Sequence, residues 1–325
     1  MMNDRIGKTD TDRSEQPVLV VAGPTASGKT ETAIRLAEAL DGEIISADSM
    51  QIYRGMDIGT AKATIAEQKR VPHHIIDILN PGEPFSVAEY QALALDKIRQ
   101  IKGRGHQPIL CGGTGQYLAA LTDGIEFSPV TVDPELRRTL NAEAEQSGLS
   151  ALWQELQSCD PETATKISGT DRKRIIRALE VYRQTGKTIS WYNAKSKQKG
   201  PAYPYLGFCL NHERAELYRR IDRRVVKMIE SGLIEETRAL LALNLPAGST
   251  CLQAIGYKEL IGYLQGKMPL DEAQANIQQA TRRYAKRQLT WFRKMVELSW
   301  LNDLEPAAAT EIILNHIQNK VKLRL

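Results

Sequence analysis

The stretch Gly23-Pro24-Thr25-Ala26-Ser27-Gly28-Lys29-Thr30 fits G-x-x-x-x-G-K-[ST], the pattern of a phosphate-binding loop. Its glycines let the backbone wrap so that successive N–H groups point at phosphate oxygens. Lys29 supplies a point charge, and the Thr30 hydroxyl is suited to joining the coordination of Mg²⁺. A phosphate-loop protein also needs an acid at the same edge. Asp48 directly follows an apolar strand near the loop, so it is read either as the metal-side carboxylate or as a general base for an acceptor nucleophile. Such a cradle serves phosphoryl transfer and alkyl transfer from a diphosphate equally well.

The elements that must carry these residues follow from periodicity. Residues 17–22 read as a buried strand, and an amphipathic helix follows from Lys29 to Asp41. Glu43–Ala47 is the next strand, so the alternation is that of a parallel sheet, whose ligands sit at the carboxyl ends of its strands. Gln51–Lys62, broken by glycines, reads as an ordered loop beside the site. A third strand is expected at Ile75–Ile78, after Val71-Pro72-His73-His74. The two histidines lack an acidic or sulfur partner at ligand spacing, so they are assigned to packing or substrate positioning. Ser86–Lys102 is a helix with Ser86 as N-cap and Glu89 three residues on. Pro108–Cys111 is a fourth strand that ends in Gly112-Gly113-Thr114-Gly115, with a short helix after it.

From Asp133 to about Lys199 the pattern is helical throughout, with Asp133-Pro134 and Asp160-Pro161 as helix starts. Strand character returns at Tyr203–Leu210. Helices are expected over Glu213–Glu230, Leu233–Leu243, Lys258–Gln265 and Leu270–Glu297. The fold class is therefore α/β: a P-loop NTPase-like parallel sheet flanked by helices, with an all-helical insertion and a helical C-terminal part. The expected domains are a disordered tail over 1–16, an α/β core over 17–128 and 203–325, and the insertion over 129–202.

Two segments are rich in positive charge. Lys166–Lys199 carries ten basic residues against Asp171 and Glu180, with Tyr182, Trp191 and Tyr192 interleaved. The last of these helices carries Arg282, Arg283, Lys286, Arg287, Arg293 and Lys294, with no acid from Ala273 to Val296. Basic residues with aromatics suit a nucleic acid, and a solvated helical face is the plain alternative. Over the 325 residues the composition is ordinary for a globular protein: 42% hydrophobic, 25% charged, net charge +4. The four cysteines have no metal or redox spacing and read as reduced thiols of a cytoplasmic protein. No apolar run reaches the length of a membrane span.

The chain resembles the bacterial tRNA dimethylallyltransferases, also called tRNA isopentenyltransferases. The resemblance covers about 17–300 and rests on the phosphate loop, Asp48–Lys62, Val71–His74, Gly112–Gly115, Ile255-Gly256-Tyr257, and Lys286-Arg287-Gln288 with Trp291-Phe292-Arg293. It implies transfer of a dimethylallyl group from dimethylallyl diphosphate to the exocyclic amine of the adenosine just 3′ of the anticodon, with Mg²⁺ assisting. It implies that the phosphate loop, Ser27, Gly28, Lys29 and Thr30 above all, holds the donor diphosphate with Arg224. Asp48 would take the proton of the amine. Ser49, Met50 and Gln51 would line the acceptor base, with Thr114 near the target nucleotide. Gly256 and Tyr257 belong to the tRNA-binding set, as do Arg137, Lys173, Arg174, Arg177, Lys286, Arg287 and Arg293 on the anticodon stem-loop. The partners are then tRNA and dimethylallyl diphosphate, with no membrane, and the protein is expected to be a monomer. Gln116 departs from the apolar residue usual in the family, and the zinc finger of eukaryotic relatives has no C-x₂-C pair here. The alternatives are the same chemistry on a free adenine nucleotide, and a P-loop small-molecule kinase or nucleotide-dependent RNA-binding switch.

Overall fold

The computed structural model describes residues 16–125, 127, 133–246, 248–295 and 297–322. The tail expected over 1–16 therefore lies outside the described residues, apart from Gln16. The chain divides into two compact units, one of 1–119 with 203–325 and one of Ala120–Ala202. The insertion thus starts at Ala120 rather than at 129.

The first unit is built on six parallel strands: β1 (Val18–Ala22), β2 (Gly42–Ser46), β3 (His73–His74), β4 (Gln107–Gly112), β5 (Tyr205–Asn211) and β6 (Leu298–Asn302), in the order β3-β2-β4-β1-β5-β6. β1 and β4 sit inside the sheet and are apolar on both faces, as a strand covered by helices on both sides must be. The register sets Ala22 against Gly112, and Ser46 against Cys111. The carboxyl ends of β1, β2 and β4 are therefore level, which brings the phosphate loop, Asp48 and the Gly113 turn to one edge.

The helices of this unit are α1 (Lys29–Leu40), α2 (Ile65–Arg70), α3 (Val87–Gly103) and α4 (Gly115–Thr122), the last running on into the second unit. On one face of the sheet, Ala33, Ile34 and Ala37 of α1 pack with Leu19, Val21, Ile109 and Phe208 in a buried core. Each such Leu, Ile or Phe contributes about 1.5–3 kcal/mol by leaving water. α3 has the expected capping box between Ser86 and Glu89. α2 was not foreseen, although Thr64 and Glu67 form the same box at its start. The third strand falls on His73–His74, one step before the expected Ile75–Ile78. Ile75 and Asp77 have φ values of 60° and 53°, in the left-handed region, which breaks an extended run.

In the second unit, α5 (Pro134–Gln146), α6 (Leu149–Cys159), α7 (Pro161–Ala164), α8 (Arg172–Thr185) and α9 (Ile189–Lys199) enclose their own core of Leu140, Leu152, Leu156, Ile175 and Leu179. Asp133 caps α5, and Asp160 caps α7 while also accepting the N–H of Ser190 at 3.1 Å.

Back in the first unit follow α10 (Arg214–Glu230), α11 (Leu233–Ala242), α12 (Tyr257–Leu264) and α13 (Leu270–Phe292). α13 stops before Glu297, and the chain then makes β6 and α14 (Pro306–Lys322). The C-terminal part is thus not helical alone: β6 extends the sheet beside β5, and Ala309 and Ile313 of α14 close the core over α1. The cause is burial, since Leu298 and α14 cover apolar surface that β5 and α1 would otherwise expose.

Candidate active site

A cavity of about 340 Å³ opens at the carboxyl edge of the sheet, within the first unit. Thr25, Lys29 and Thr30 line it from the phosphate loop, Asp48–Gln51 from the end of β2, and Arg224 from α10.

Ala26 (φ 66°) and Gly28 (φ 88°) are left-handed, and Gly28 hands the chain to α1. An alanine held there costs roughly 1–2 kcal/mol, which the surrounding packing must impose. Gly23 has to be a glycine because a Cβ would lie 2.5 Å from the Ser27 hydroxyl and 2.7 Å from the Leu210 carbonyl. The Ser27 hydroxyl is buried and has no hydrogen-bond partner among the described residues. Outside, Pro306 of α14 packs against Gly28.

Lys29 and Arg224 are the cations of the cavity. The Lys29 Nζ donates to the Pro24 carbonyl at 3.2 Å. Among the described residues neither side chain forms an ion pair. Burial lowers the Lys29 pKa from its ordinary value; Cys111 and Asp48 oppose this, and the Arg224 charge adds to it. Burial also lowers the Arg224 pKa against the pull of Asp48. Two cations withdrawn from water without a paired carboxylate call for an anion. The other arginines of α10 are spent elsewhere: Arg219, Arg220 and Arg223 lean on Glu216, Arg220 also on Glu305, and Arg214 lies over the Tyr218 ring.

Asp48 closes its own turn, its Oδ1 accepting the N–H groups of Met50 at 2.9 Å and Gln51 at 3.4 Å. The Ser49 N–H donates to the Thr114 hydroxyl at 3.1 Å, which ties this turn to the end of β4. Gln51 is pinned by Ser46 at 2.9 Å and by the carbonyls of Thr60 and Ala61 at 3.3 Å. The Gln51–Lys62 loop is ordered, as expected, and two charged groups hold it. Lys62, 7% exposed, bonds the Tyr53 carbonyl at 2.8 Å and the carboxylates of Asp57 at 2.5 Å and Asp77 at 2.6 Å. Glu236 accepts the N–H groups of Asp57 (2.9 Å), Ile58 (2.9 Å) and Gly59 (3.0 Å), and the Tyr257 hydroxyl at 2.6 Å.

Tyr257 is 0% exposed and packs its ring on Gly59. Its side chain is therefore not available to RNA: it holds the loop from behind. Gly256, with φ 98°, does line the cavity. Of the histidines, His74 bonds Glu43 at 2.6 Å, which Arg104 also holds. His73 lines the cavity, and its buried Nε2 has no partner among the described residues.

By helical period Ile221, Val225 and Met228 share the apolar side of α10. They form an apolar wall of the cavity with Leu233, Ala254 and Ile277. An amphipathic face reads the same whether it covers a core or a ligand, so periodicity held no signal for this role. Glu236 was also missed, because its partners are backbone groups far away in sequence.

The basic residues behave unequally. Arg137 and Arg177 both bond the buried carboxylate of Glu180, at 2.8 and 2.7 Å, so the insertion uses them to neutralise its own interior. Each keeps an exposed edge, with side chains 40% and 37% exposed. Lys173 and Arg174 are exposed on α8, and Arg174 lies 3.4 Å from Asp171. Lys286, Arg287 and Arg293 are exposed, and Arg287 also reaches the cavity and lies over the Tyr284 ring.

For Mg²⁺, Thr30 and Asp48 line one cavity. No group of three or more His, Cys, Asp or Glu able to hold a metal occurs among the described residues. The residues fit an ion that keeps water and ligand oxygens as most of its shell, which is how Mg²⁺ binds beside a diphosphate.

Fold and cavity thus define a class: a parallel α/β protein whose phosphate loop faces a carboxylate across an apolar-walled cavity. The family model for IPP transferases matches residues 51–295. The tRNA dimethylallyltransferase of Carboxydothermus hydrogenoformans is 48% identical over 287 residues, 88% of this chain and 92% of that protein. That of Geobacillus thermodenitrificans is 46% identical, over 95% of this chain and 98% of that protein. The crystal structure of the full-length tRNA isopentenylpyrophosphate transferase of Bacillus halodurans matches with a TM-score of 0.69 at 41% identity, covering 95% and 99% of the two chains. A eukaryotic dimethylallyltransferase, solved acting on tRNA, matches with a TM-score of 0.78 at 28% identity over 88% and 74%. The chain belongs to the IPP transferase family.

Proposed function

We propose that this chain transfers the dimethylallyl group of dimethylallyl diphosphate to the exocyclic amine of the adenosine 3′-adjacent to the anticodon in tRNA. The observation that carries the donor half is the pair Lys29 and Arg224, two cations in a cavity wall with no ion-paired carboxylate among the described residues. A diphosphate supplies the missing charge, and the apolar wall suits a five-carbon tail.

In the reaction the allylic carbon–oxygen bond breaks and the carbon–nitrogen bond forms. Diphosphate leaves with the electron pair, and the amine proton passes to the Asp48 carboxylate. An adenine amine is a poor nucleophile, so a base in reach contributes on the order of 10²–10⁴ in rate. Lys29, Arg224 and the loop N–H groups take up the charge of the leaving diphosphate. Thr30, with Asp48 near, would hold Mg²⁺, which when bound neutralises part of that charge.

Ser49, Met50 and Gln51 receive the base, drawn out of its stack at about a few kcal/mol. Exposed Lys173, Arg174, Lys286, Arg287 and Arg293 offset that cost on the RNA backbone. Relatives named for action on tRNA, and the two basic helical segments, favour tRNA over a free nucleotide. No described helix is long and apolar enough to cross a membrane. The reading has the enzyme in the cytoplasm as a monomer.

The test is a transfer assay with Mg²⁺, labelled dimethylallyl diphosphate, and unmodified tRNA or AMP. Label in tRNA alone, beside the anticodon, is expected. Label in AMP would move the protein to the free-nucleotide class. Label in neither, with tight ATP binding, would make it a kinase or a nucleotide-dependent switch.

A further inference from the structure

Gln288 of α13 is 5% exposed, and both ends of its amide are used. Its Oε1 accepts the N–H of Thr25 in the phosphate loop at 2.9 Å, and its Nε2 donates to the carbonyl of Gly113 at 2.9 Å. One side chain therefore spans the gap between the loop after β1 and the turn after β4. The residue after Gly113 is Thr114. Thr114 in turn accepts the N–H of Ser49, the residue next to Asp48. A chain of bonds thus runs from Thr25 through α13 and the β4 turn to the carboxylate strand.

The fit leaves no slack. A Cβ at Gly113 would lie 2.2 Å from the Gln288 Nε2, while its next neighbours would be at 3.4 and 3.5 Å. Gln288 stands among exposed cations, Lys286 and Arg287, yet it is itself buried and both ends of its amide bond protein groups.

We propose that Gln288 is a positioning residue for the donor site: its amide sets the spacing between the phosphate loop and the β4 turn, and so holds the diphosphate cradle in register with Asp48. This rests on the functional reading above. Without the amide, the half-buried Thr25 N–H and the buried Gly113 carbonyl lose their partners, and the loop must move to resatisfy them.

The experiment measures inorganic diphosphate binding with Mg²⁺, anticodon stem-loop RNA binding and thermal unfolding for the full chain, Gln288→Ala, Gly113→Ala and the double variant. Gln288→Met, close in volume, replaces Gln288→Ala if the latter does not fold. Each single change is expected to weaken diphosphate binding by about ten- to a hundredfold and leave RNA affinity within about twofold. In the double variant Gly113→Ala should add almost nothing, because the group it displaces is gone. Unchanged diphosphate affinity in the singles, an RNA affinity that falls in parallel, or fully additive losses would overturn the proposal. A wild-type chain that binds no diphosphate would instead sink the donor reading on which it rests.

Discussion

The Oδ1 of Asp48 accepts the backbone N–H of Met50 at 2.9 Å. One carboxylate oxygen is thus spent on closing the turn, and the other has no protein partner among the described residues. Asp48 is at once a structural cap and the carboxylate of the cavity, and the two roles separate by substitution.

Asp48→Asn keeps an oxygen for Met50 and removes the base. Turnover should fall by about 10²–10⁴ while stem-loop RNA affinity stays near the wild-type value. Single-turnover transfer and an RNA binding titration check this. Equal loss in both would reassign Asp48 to RNA binding.

Lys29→Met should act in opposite directions on stability and on binding. A lysine with a lowered folded pKa binds fewer protons than its unfolded counterpart, so its charge destabilises the empty protein below that pKa and the penalty is relieved as pH rises. Removing it should raise the melting temperature of the empty protein at neutral pH by roughly 1–3 °C, and abolish the stabilisation by diphosphate. A lower melting temperature for the variant would show that the lysine is already satisfied inside the protein.

The same shift sets a pH dependence. A bound diphosphate requires protonated Lys29, so affinity should decline before the ordinary lysine value of 10.5 is reached. Calorimetric titration across that range, with Lys29→Arg as the non-titrating control, tests it. A flat profile in the wild type would remove Lys29 from the donor site.

Lys286→Ala with Arg287→Ala removes two exposed cations of α13. Stem-loop affinity should drop, and the slope of log K against log salt should fall by about 0.7–0.9 for each phosphate that the variant no longer neutralises. An unaltered slope would take this helix out of the RNA interface.

Gly59→Ala would place a Cβ 2.5 Å from the Tyr257 ring. Since the ring is buried and its hydroxyl held by Glu236, it cannot swing away, and a loss of about 1–3 kcal/mol is expected. Tyr257→Phe, which removes only the hydroxyl, should cost about 1 kcal/mol. Denaturant unfolding compares them, and the reverse ranking would mean that the hydroxyl, rather than the ring, fixes the loop.

The local sequence determined much of this protein. The phosphate loop needs its glycines and Lys29 whatever surrounds it, and short apolar runs bounded by turns announced β1, β2, β4 and β5. The Ser86–Glu89 box and the caps at Asp133 and Asp160 were legible because capping involves residues at most three apart. The family motifs pointed to Asp48 and Arg224 alike. What periodicity could not separate was Arg224 from Arg219, Arg220 and Arg223 on the same helix. That choice depends on Glu216 and Glu305 engaging three of the four, and Glu305 is far away in the chain.

Only the tertiary structure decided the rest, for one physical reason: it depends on groups distant in sequence meeting at one place. β6, interrupted by Ser299 and Asn302, has no continuous apolar run to announce it, and becomes a strand because β5 offers an open edge. Arg137 and Arg177 read as RNA contacts, and only the fold shows that both also bond the buried Glu180. Tyr257 stands in the tRNA-binding set that the family motifs imply, and only the fold shows Gly59 and Glu236 enclosing it. Gln288 bonds Thr25, 263 positions away, and a hydrogen bond of that span leaves no period or spacing in the sequence by which to read it.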